Sequence, residues 1–303
     1  MKFRNFLNKA TFLLIWVLSK LFGMLPYKFC YLISDFVFFV LRRVFKYRLK
    51  VVKSNLKASF PSYSQEQLSK IEIDFYKFLA DVMIETLLLA SFSEKQIKER
   101  MVFHDSDFIN QKAKEHGVII AAFAHYAQWE YSSTYGAHTP YNVYGVYHPL
   151  TSQPMDEFFN KTRSRFKSIP IPMAKVAKQM IEDKRSGAKS IYALIADQTP
   201  PRGIIKKWIM FLDQPTAFFP GVERLSLKLN CPVLFLDFRR TKRGYYEAYA
   251  TEIYDGVEKV DPYEITKRYA KKLEESIERE PYLWLWSHRR WKHFPQSSDD
   301  ILS

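Results

Sequence analysis

From Gly117 onward the chain alternates short apolar runs with amphipathic segments, and this alternation narrows the possible folds more than any other feature. The runs Gly117–Phe123, Asn142–Tyr147, Ser190–Ile195, Pro232–Arg239 and Tyr245–Thr251 have the length and residue content of strands. Segments 127–137, 152–166, 174–185 and 219–229 lie between them with apolar residues at threes and fours, and 262–279 adds another. Strands spaced by helices predict an α/β fold, a sheet with helices on both faces. Ahead of it, Leu68, Ile71, Phe75, Phe78, Leu79 and Val82 predict helix across 65–100, opened by the capping-box pattern Ser64-x-x-Gln67. The Pro- and Gly-containing stretch Asp197–Pro220 is read as a long connection, a kind of loop that often carries function.

Charge separates the N-terminal segment from this body. Residues 1–65 carry twelve Lys and Arg against Asp35 alone, a net +11 out of the chain's +14. The same segment holds two apolar stretches, Thr11–Leu25 and Phe29–Leu41, parted by Pro26. Neither offers 18 clean apolar residues, so neither is a secure membrane span. A secretory signal would explain Lys2, Arg4 and Lys9 ahead of Phe12–Leu18, but Lys20 follows directly and no small-residue cleavage site appears. Two core helices of a soluble domain fit the run lengths. A helix or hairpin embedded in one leaflet, or one marginal span, fits best. Arg42, Arg43, Lys46, Arg48 and Lys50 would then meet anionic inner-membrane headgroups on the cytoplasmic side, at about 1 kcal/mol each. Nucleic acid is the rival partner for so basic a segment. Its cations are interleaved with Phe, Trp, Leu and Val, however, and no zinc finger, ribonucleoprotein or helix-turn-helix pattern is present. The expected division is a membrane-associated basic helical segment at 1–57 and an α/β domain at 58–303. Cys30 and Cys231 are 201 residues apart and predict neither a disulfide framework nor a zinc site.

Chemistry concentrates after the first strand, in Ala124-His125-Tyr126-Ala127-Gln128-Trp129-Glu130. Ligands of open α/β sheets gather at the carboxyl ends of strands, where this turn would sit. Within one regular helix His125 and Glu130 would point about 140° apart. With His125 in the turn and Glu130 inside the following helix, the two side chains can converge. His125 then acts as general base, and Glu130 orients the ring and stabilises the imidazolium. Free N–H groups at that helix start could receive an oxyanion or phosphate. The six other histidines (His104, His116, His138, His148, His288, His293) have no comparable setting. No G-x-S-x-G elbow, G-x-G-x-x-G, Walker A or H-E-x-x-H motif occurs, so direct attack by an acceptor hydroxyl is preferred to a covalent intermediate. Asp197 follows the strand Ser190–Ile195, as a site residue or as a loop cap. Gly221 would let a substrate chain approach closely or would simply begin a helix. Arg289, Arg290 and Lys292 with Trp284, Trp286 and Trp291 read equally as an interfacial belt or as packing beside a solvated face.

HYAQWE (125–130) resembles the first motif of the lysophospholipid acyltransferase superfamily, and most of all its lipid A biosynthesis late (lauroyl/myristoyl) acyltransferase branch, whose usual form is HFGNWE. VYHPLTSQPMDEFFNKTRSRF (146–166), ADQTPPRG (196–203) with FLDQPTAFFPG (211–221), and YLWLWSHRRWKHFP (282–295) are similar to further blocks of that branch, in order. The resemblance implies a mixed sheet flanked by helices behind membrane-associated N-terminal helices. It implies transfer of an acyl chain from an acyl-carrier-protein thioester to a hydroxyl of a lipid A precursor at the bacterial inner membrane, with no cofactor or metal. It implies an arginine on substrate phosphate, either Arg163 or Arg165, and substrate-contacting roles for Asp197, Gln198 and Gly221. An acyltransferase acting on another membrane lipid, or a non-catalytic membrane lipid-binding protein, would keep the same motifs.

Overall fold

The computed structural model describes residues 2–296 and 299–302. Helix α1 (Lys2–Phe22) is followed by α2 (Tyr27–Phe39), which Pro26 begins and a π-helical turn over Val40–Val44 extends. Then come α3 (Leu49–Ser59), α4 (Gln65–Leu89) and α5 (Glu94–Arg100). The capping box at Ser64 is present: its hydroxyl accepts from the Gln67 N–H at 3.2 Å, and the Gln67 amide oxygen accepts from the Ser64 N–H at 2.7 Å. The helical stretch predicted across 65–100 is two helices, because Ser93 and Gln96 form a second capping box that restarts the backbone.

The sheet is built from β1 (Met101–Phe103), β2 (Val118–Phe123), β3 (Asn142–Tyr147), β4 (Ser168–Pro172) and β5 (Ser190–Ile195), with helices α6 (Ser106–His116), α7 (Gln153–Arg163) and α8 (Met173–Ser186) between them. A hairpin, β6 (Trp208–Phe211) and β7 (Gln214–Thr216), and helix α9 (Gly221–Leu229) lead to the long strands β8 (Val233–Lys242) and β9 (Tyr245–Tyr254). Helix α10 (Glu264–Arg279) and β10 (Ile301–Leu302) complete the order. The main sheet runs β1-β9-β8-β2-β5-β3-β4; β9 lies antiparallel to β8, β1 parallel to β9, and the other pairings are parallel. This is the mixed sheet that the resemblance implied. Strand β2 is central and buried at all six positions, which explains its unbroken apolar run. Strand β4 carries Pro170 and Pro172 and lies at an edge, where missing N–H donors are tolerated.

Two expectations need correction. Segment 127–137 is a 3-10 helix over Trp129–Ala137 rather than an α-helix. Ser133 and Thr134 turn their hydroxyls back onto the carbonyls of Glu130 and Tyr131 at 2.7 Å each, competing with the α-helical ladder. The stretch 197–220 is not featureless, since β6 and β7 pair within it and β10 adds to β6.

No helix among the described residues is long and apolar enough to cross a membrane. The N-terminal helices nevertheless leave much apolar surface uncovered: Leu13, Leu14, Met24, Phe29, Leu32, Phe36 and Phe45 are all more than half exposed. The inner sides of these helices join the core through Cys30, Val52 and Leu56. One of the cations expected to face headgroups turns inward instead: Arg42 pairs with the buried Glu72 at 2.8 Å. Arg43, Lys46, Arg48 and Lys50 stay exposed, although Arg48 also donates to the Ser287 carbonyl at 3.0 Å.

Candidate active site

The sheet register brings the site together. Strands β2 and β5 run parallel with Phe123 opposite Ile195, so His125 and Asp197 emerge level with one another, each two residues past its strand. Asp197, only 3% exposed, receives three donors. His125 Nδ1 donates to it at 2.7 Å, the His125 backbone N–H at 3.1 Å and Trp284 Nε1 at 2.9 Å. Burial works to raise the pKa of this carboxyl, but the His125 imidazole and the N–H donors outweigh it and hold the pKa below the usual carboxylate range. An ionised carboxylate only accepts, so Nδ1 carries a proton, and it is Nε2 that bears the lone pair whenever the ring is neutral. The Gln198 amide nitrogen lies 3.3 Å from that Nε2.

Glu130, expected against the ring, is engaged elsewhere. Arg163 grips it with a two-pronged contact, Nη2 to Oε1 at 2.7 Å and Nε to Oε2 at 3.0 Å. The carboxylate on the imidazole is therefore Asp197, because the ring leans toward the adjacent strand while Glu130, in the 3-10 turn, meets the end of α7. Arg163 borders the same cavity as His125 and Glu130. Arg165 does not line it; its guanidinium donates to the carbonyls of Leu89 at 2.6 Å and Phe92 at 2.8 Å, closing the C-terminal end of α4. Gln198 and Gly221 both line the cavity, and a Cβ built on Gly221 would meet no atom within 4 Å.

The cavity holds about 530 Å³ beside the imidazole, walled largely by apolar side chains of β3, β5, α7, α8 and α9, among them Val146, Phe159, Val176, Leu194 and Leu225. A smaller recess shares Trp129, Glu130, Arg163 and Ile195 with it and continues toward Val143, Gly145 and Ala193. A histidine backed by a carboxylate and bordering an apolar chamber can move a proton on one group of a ligand whose remainder is a hydrocarbon chain. No cluster of three or more His, Cys, Asp or Glu side chains poised to hold a metal ion occurs among the described residues.

The turn bearing His125 is clamped from two sides. Ala127 N–H donates to the Leu283 carbonyl at 3.0 Å, and Leu285 N–H donates to the His125 carbonyl at 3.1 Å. Behind the turn, the buried Gln128 side chain donates to Glu85 at 3.0 Å. Ala127 itself has φ +50°, the left-handed region where glycine is at ease. Trp284, Trp286 and Arg290 are buried, Trp291 is half-buried, and Arg289 and Lys292 are exposed, so this cluster is packing beside a solvated face. Sequence reasoning gave Asp197 no part in holding the ring, although both strand ends were in hand; setting them in parallel register would have paired it with His125. It also passed over His148, which borders the cavity, and His288, which accepts from the Thr199 N–H at 3.2 Å and whose pKa burial lowers to about 4.

The model of a family described as bacterial lipid A biosynthesis acyltransferase matches residues 2–293 of the chain. A comparison with curated proteins finds no match.

Proposed function

The chain belongs to the bacterial lipid A biosynthesis acyltransferase family, whose members transfer acyl groups in lipid A biosynthesis, and from that premise we propose a donor, an acceptor and a mechanism. The donor is an acyl-carrier-protein thioester and the acceptor a hydroxyl of a lipid A precursor, so the reaction adds a secondary acyl chain. His125 Nε2 takes the proton of the acceptor hydroxyl as its oxygen attacks the thioester carbonyl carbon. Asp197 holds the ring by Nδ1 and offsets the charge of the imidazolium so formed. The tetrahedral oxyanion collapses, the carbon–sulfur bond breaks, and the thiolate leaves with the proton that the imidazolium returns. This cycle routes no step through a cofactor or metal.

The observation that carries this reading is the His125–Asp197 pair, with His125 opening onto a largely apolar chamber. Arg163 is the arginine we assign to substrate phosphate, because it borders the chamber and Arg165 does not. Glu130 anchors Arg163 by the bidentate contact. Gln198, beside Nε2, and Gly221, on the chamber wall, complete the acceptor-contacting set.

Attachment to the cytoplasmic face of the inner membrane through residues 1–57 is part of the same proposal. Its support is the exposed Leu and Phe surface of α1 and α2, with Met24 between them, in the same segment as the exposed Arg43, Lys46 and Lys50. Lipid A from cells lacking the protein, compared with wild type by mass spectrometry, is expected to lack one secondary acyl chain. An unchanged acylation pattern would overturn the assignment.

A further inference from the structure

Arg290 is 2% exposed and enters no ion pair among the described residues. Its Nη2 donates to the Ala217 carbonyl at 2.7 Å, Nη1 lies 3.5 Å from the Thr199 hydroxyl, the guanidinium stacks over Phe218 at 4.5 Å, and Nε has no partner. A guanidinium so enclosed by neutral groups is unfavourable unless a nearby anion offsets it. Burial pulls its pKa down to about 10, and the carboxylate that chiefly opposes this is Asp197.

The chain brings the two close together. Trp284 donates to Asp197, and six residues after Trp284 the guanidinium and carbonyl of Arg290 both meet the hydroxyl of Thr199, which follows Asp197 by two residues. The other charged or titratable groups around the imidazole are paired or neutral. Glu130 and Arg163 satisfy one another, and Asp156 on α7 accepts from the Leu150 N–H and Asn160. Burial keeps His288 uncharged at neutral pH and holds the pKa of the Tyr269 phenol on α10 well above its ordinary value. His148 on the cavity wall faces the Pro149 carbonyl.

We propose that Arg290 is a positioning residue of the acyl-transfer site: its buried charge balances that of the Asp197 carboxylate, which its own hydrogen-bond donors hold against His125, so that the imidazole stays free to accept the acceptor's proton. This rests on the reading of His125 as base. Without the guanidinium, Asp197 would face the imidazole as an unbalanced anion, and the imidazole would retain its proton to higher pH.

The test is the pH dependence of kcat/KM for acyl transfer from carrier-protein thioester to lipid A precursor, measured on the full chain and on Arg290→Met and Arg290→Lys. Methionine keeps the packing against Phe218 and removes the charge. Its acid limb is expected about one pH unit higher, with activity at neutral pH down about tenfold and recovering in alkali. Lysine keeps the charge, and its limb should stay with the wild type. A folded Arg290→Met variant with an unmoved limb overturns the proposal, as does an Arg290→Lys limb displaced as far as that of Arg290→Met. If Arg290→Met does not fold alone, Asp197→Asn in the same chain should restore folding by removing the unbalanced anion, and failure to do so counts against the proposal. An acid limb that persists in His125→Ala would instead sink the reading of His125 as base.

Discussion

Two groups of buried and half-buried ionisable residues lie on opposite sides of the His125 turn, and they differ in what they can reach. Behind the turn, Asp81 on α4 accepts from Arg240 at 2.7 Å, Arg243 at 2.6 Å and Ser34 at 2.6 Å. Glu85, one helical turn on, accepts from Tyr246 at 2.8 Å, Gln128 at 3.0 Å and Tyr31 at 3.1 Å. This group ties α2, α4 and the β8–β9 pair together and borders neither the cavity nor its recess. In front of the turn, His125–Asp197 and Arg163–Glu130 use the same chemistry, but His125, Glu130 and Arg163 open onto the cavity. Burial and pairing are common to both groups. Access to a chamber is what separates a group that holds the fold from one that can act on a ligand.

The sharpest way to break this distinction is Asp81→Ala. It strands the guanidinium of Arg240 without its carboxylate, leaves Arg243 with Asp35 alone, and is expected to lower unfolding free energy by about 3–5 kcal/mol in chemical denaturation. Acyl transfer per folded molecule should stay near wild type; a large loss of kcat with intact stability would erase the distinction.

A second expected effect is on the pH dependence of stability. Burial, with Asp81 adding, raises the Glu85 carboxyl from 4.5 to about 7, against the pull of Arg240, Tyr246 and Gln128. The folded chain thus keeps a proton through a range where the unfolded chain has released it, and stability falls as pH rises through that range. Glu85→Gln has no such proton to lose. It should flatten the decline of melting temperature between about pH 5 and 7, a change on the order of 2–3 kcal/mol. An equally steep decline in the variant would remove Glu85 as its source.

The smallest expected effect sharpens the picture of the turn between the two groups. Ala127→Gly relieves a left-handed backbone, and the gain, partly offset by the freer unfolded chain, is expected to be about 0–1 kcal/mol in melting experiments. A loss of stability would mean that the Ala127 methyl, fully buried, contributes more packing than the strain it imposes.

Much of this was legible in the sequence because the residues concerned act locally. Strands β2, β3 and β5 each announce themselves as an apolar run of fitting length, and Ser64 with Gln67 marks the start of α4 by a contact spanning three residues. Strands β1 and β4 were not legible. One has three residues and the other has two prolines, and each is strand only because a neighbour supplies its hydrogen bonds. The Trp129–Ala137 helix was misjudged for a similar reason. Gly136 there sits where an added Cβ would come within 2.5 Å of the Phe166 carbonyl, a close approach made by chain thirty residues away. His125, Glu130 and Arg163 stood out in the sequence and all three border the cavity, but their pairing was not legible, since it depends on sheet register and on the direction the ring leans. The family match was legible from ordered motifs; the Asp81–Arg240–Arg243 group, with partners about 160 residues apart, left no sequence signal.

Asp197 holds the His125 ring by its Nδ1 hydrogen bond, and everything proposed for the imidazole depends on that contact. The decisive measurement is acyl transfer from carrier-protein thioester to lipid A precursor by the full chain carrying Asp197→Asn, with folding checked by thermal melting. The amide cannot balance the imidazolium and accepts from Nδ1 less strongly, so kcat is predicted to fall by roughly two to four orders of magnitude while the chain stays folded. A folded Asp197→Asn variant that transfers acyl chains within about twofold of the wild-type rate would contradict the account.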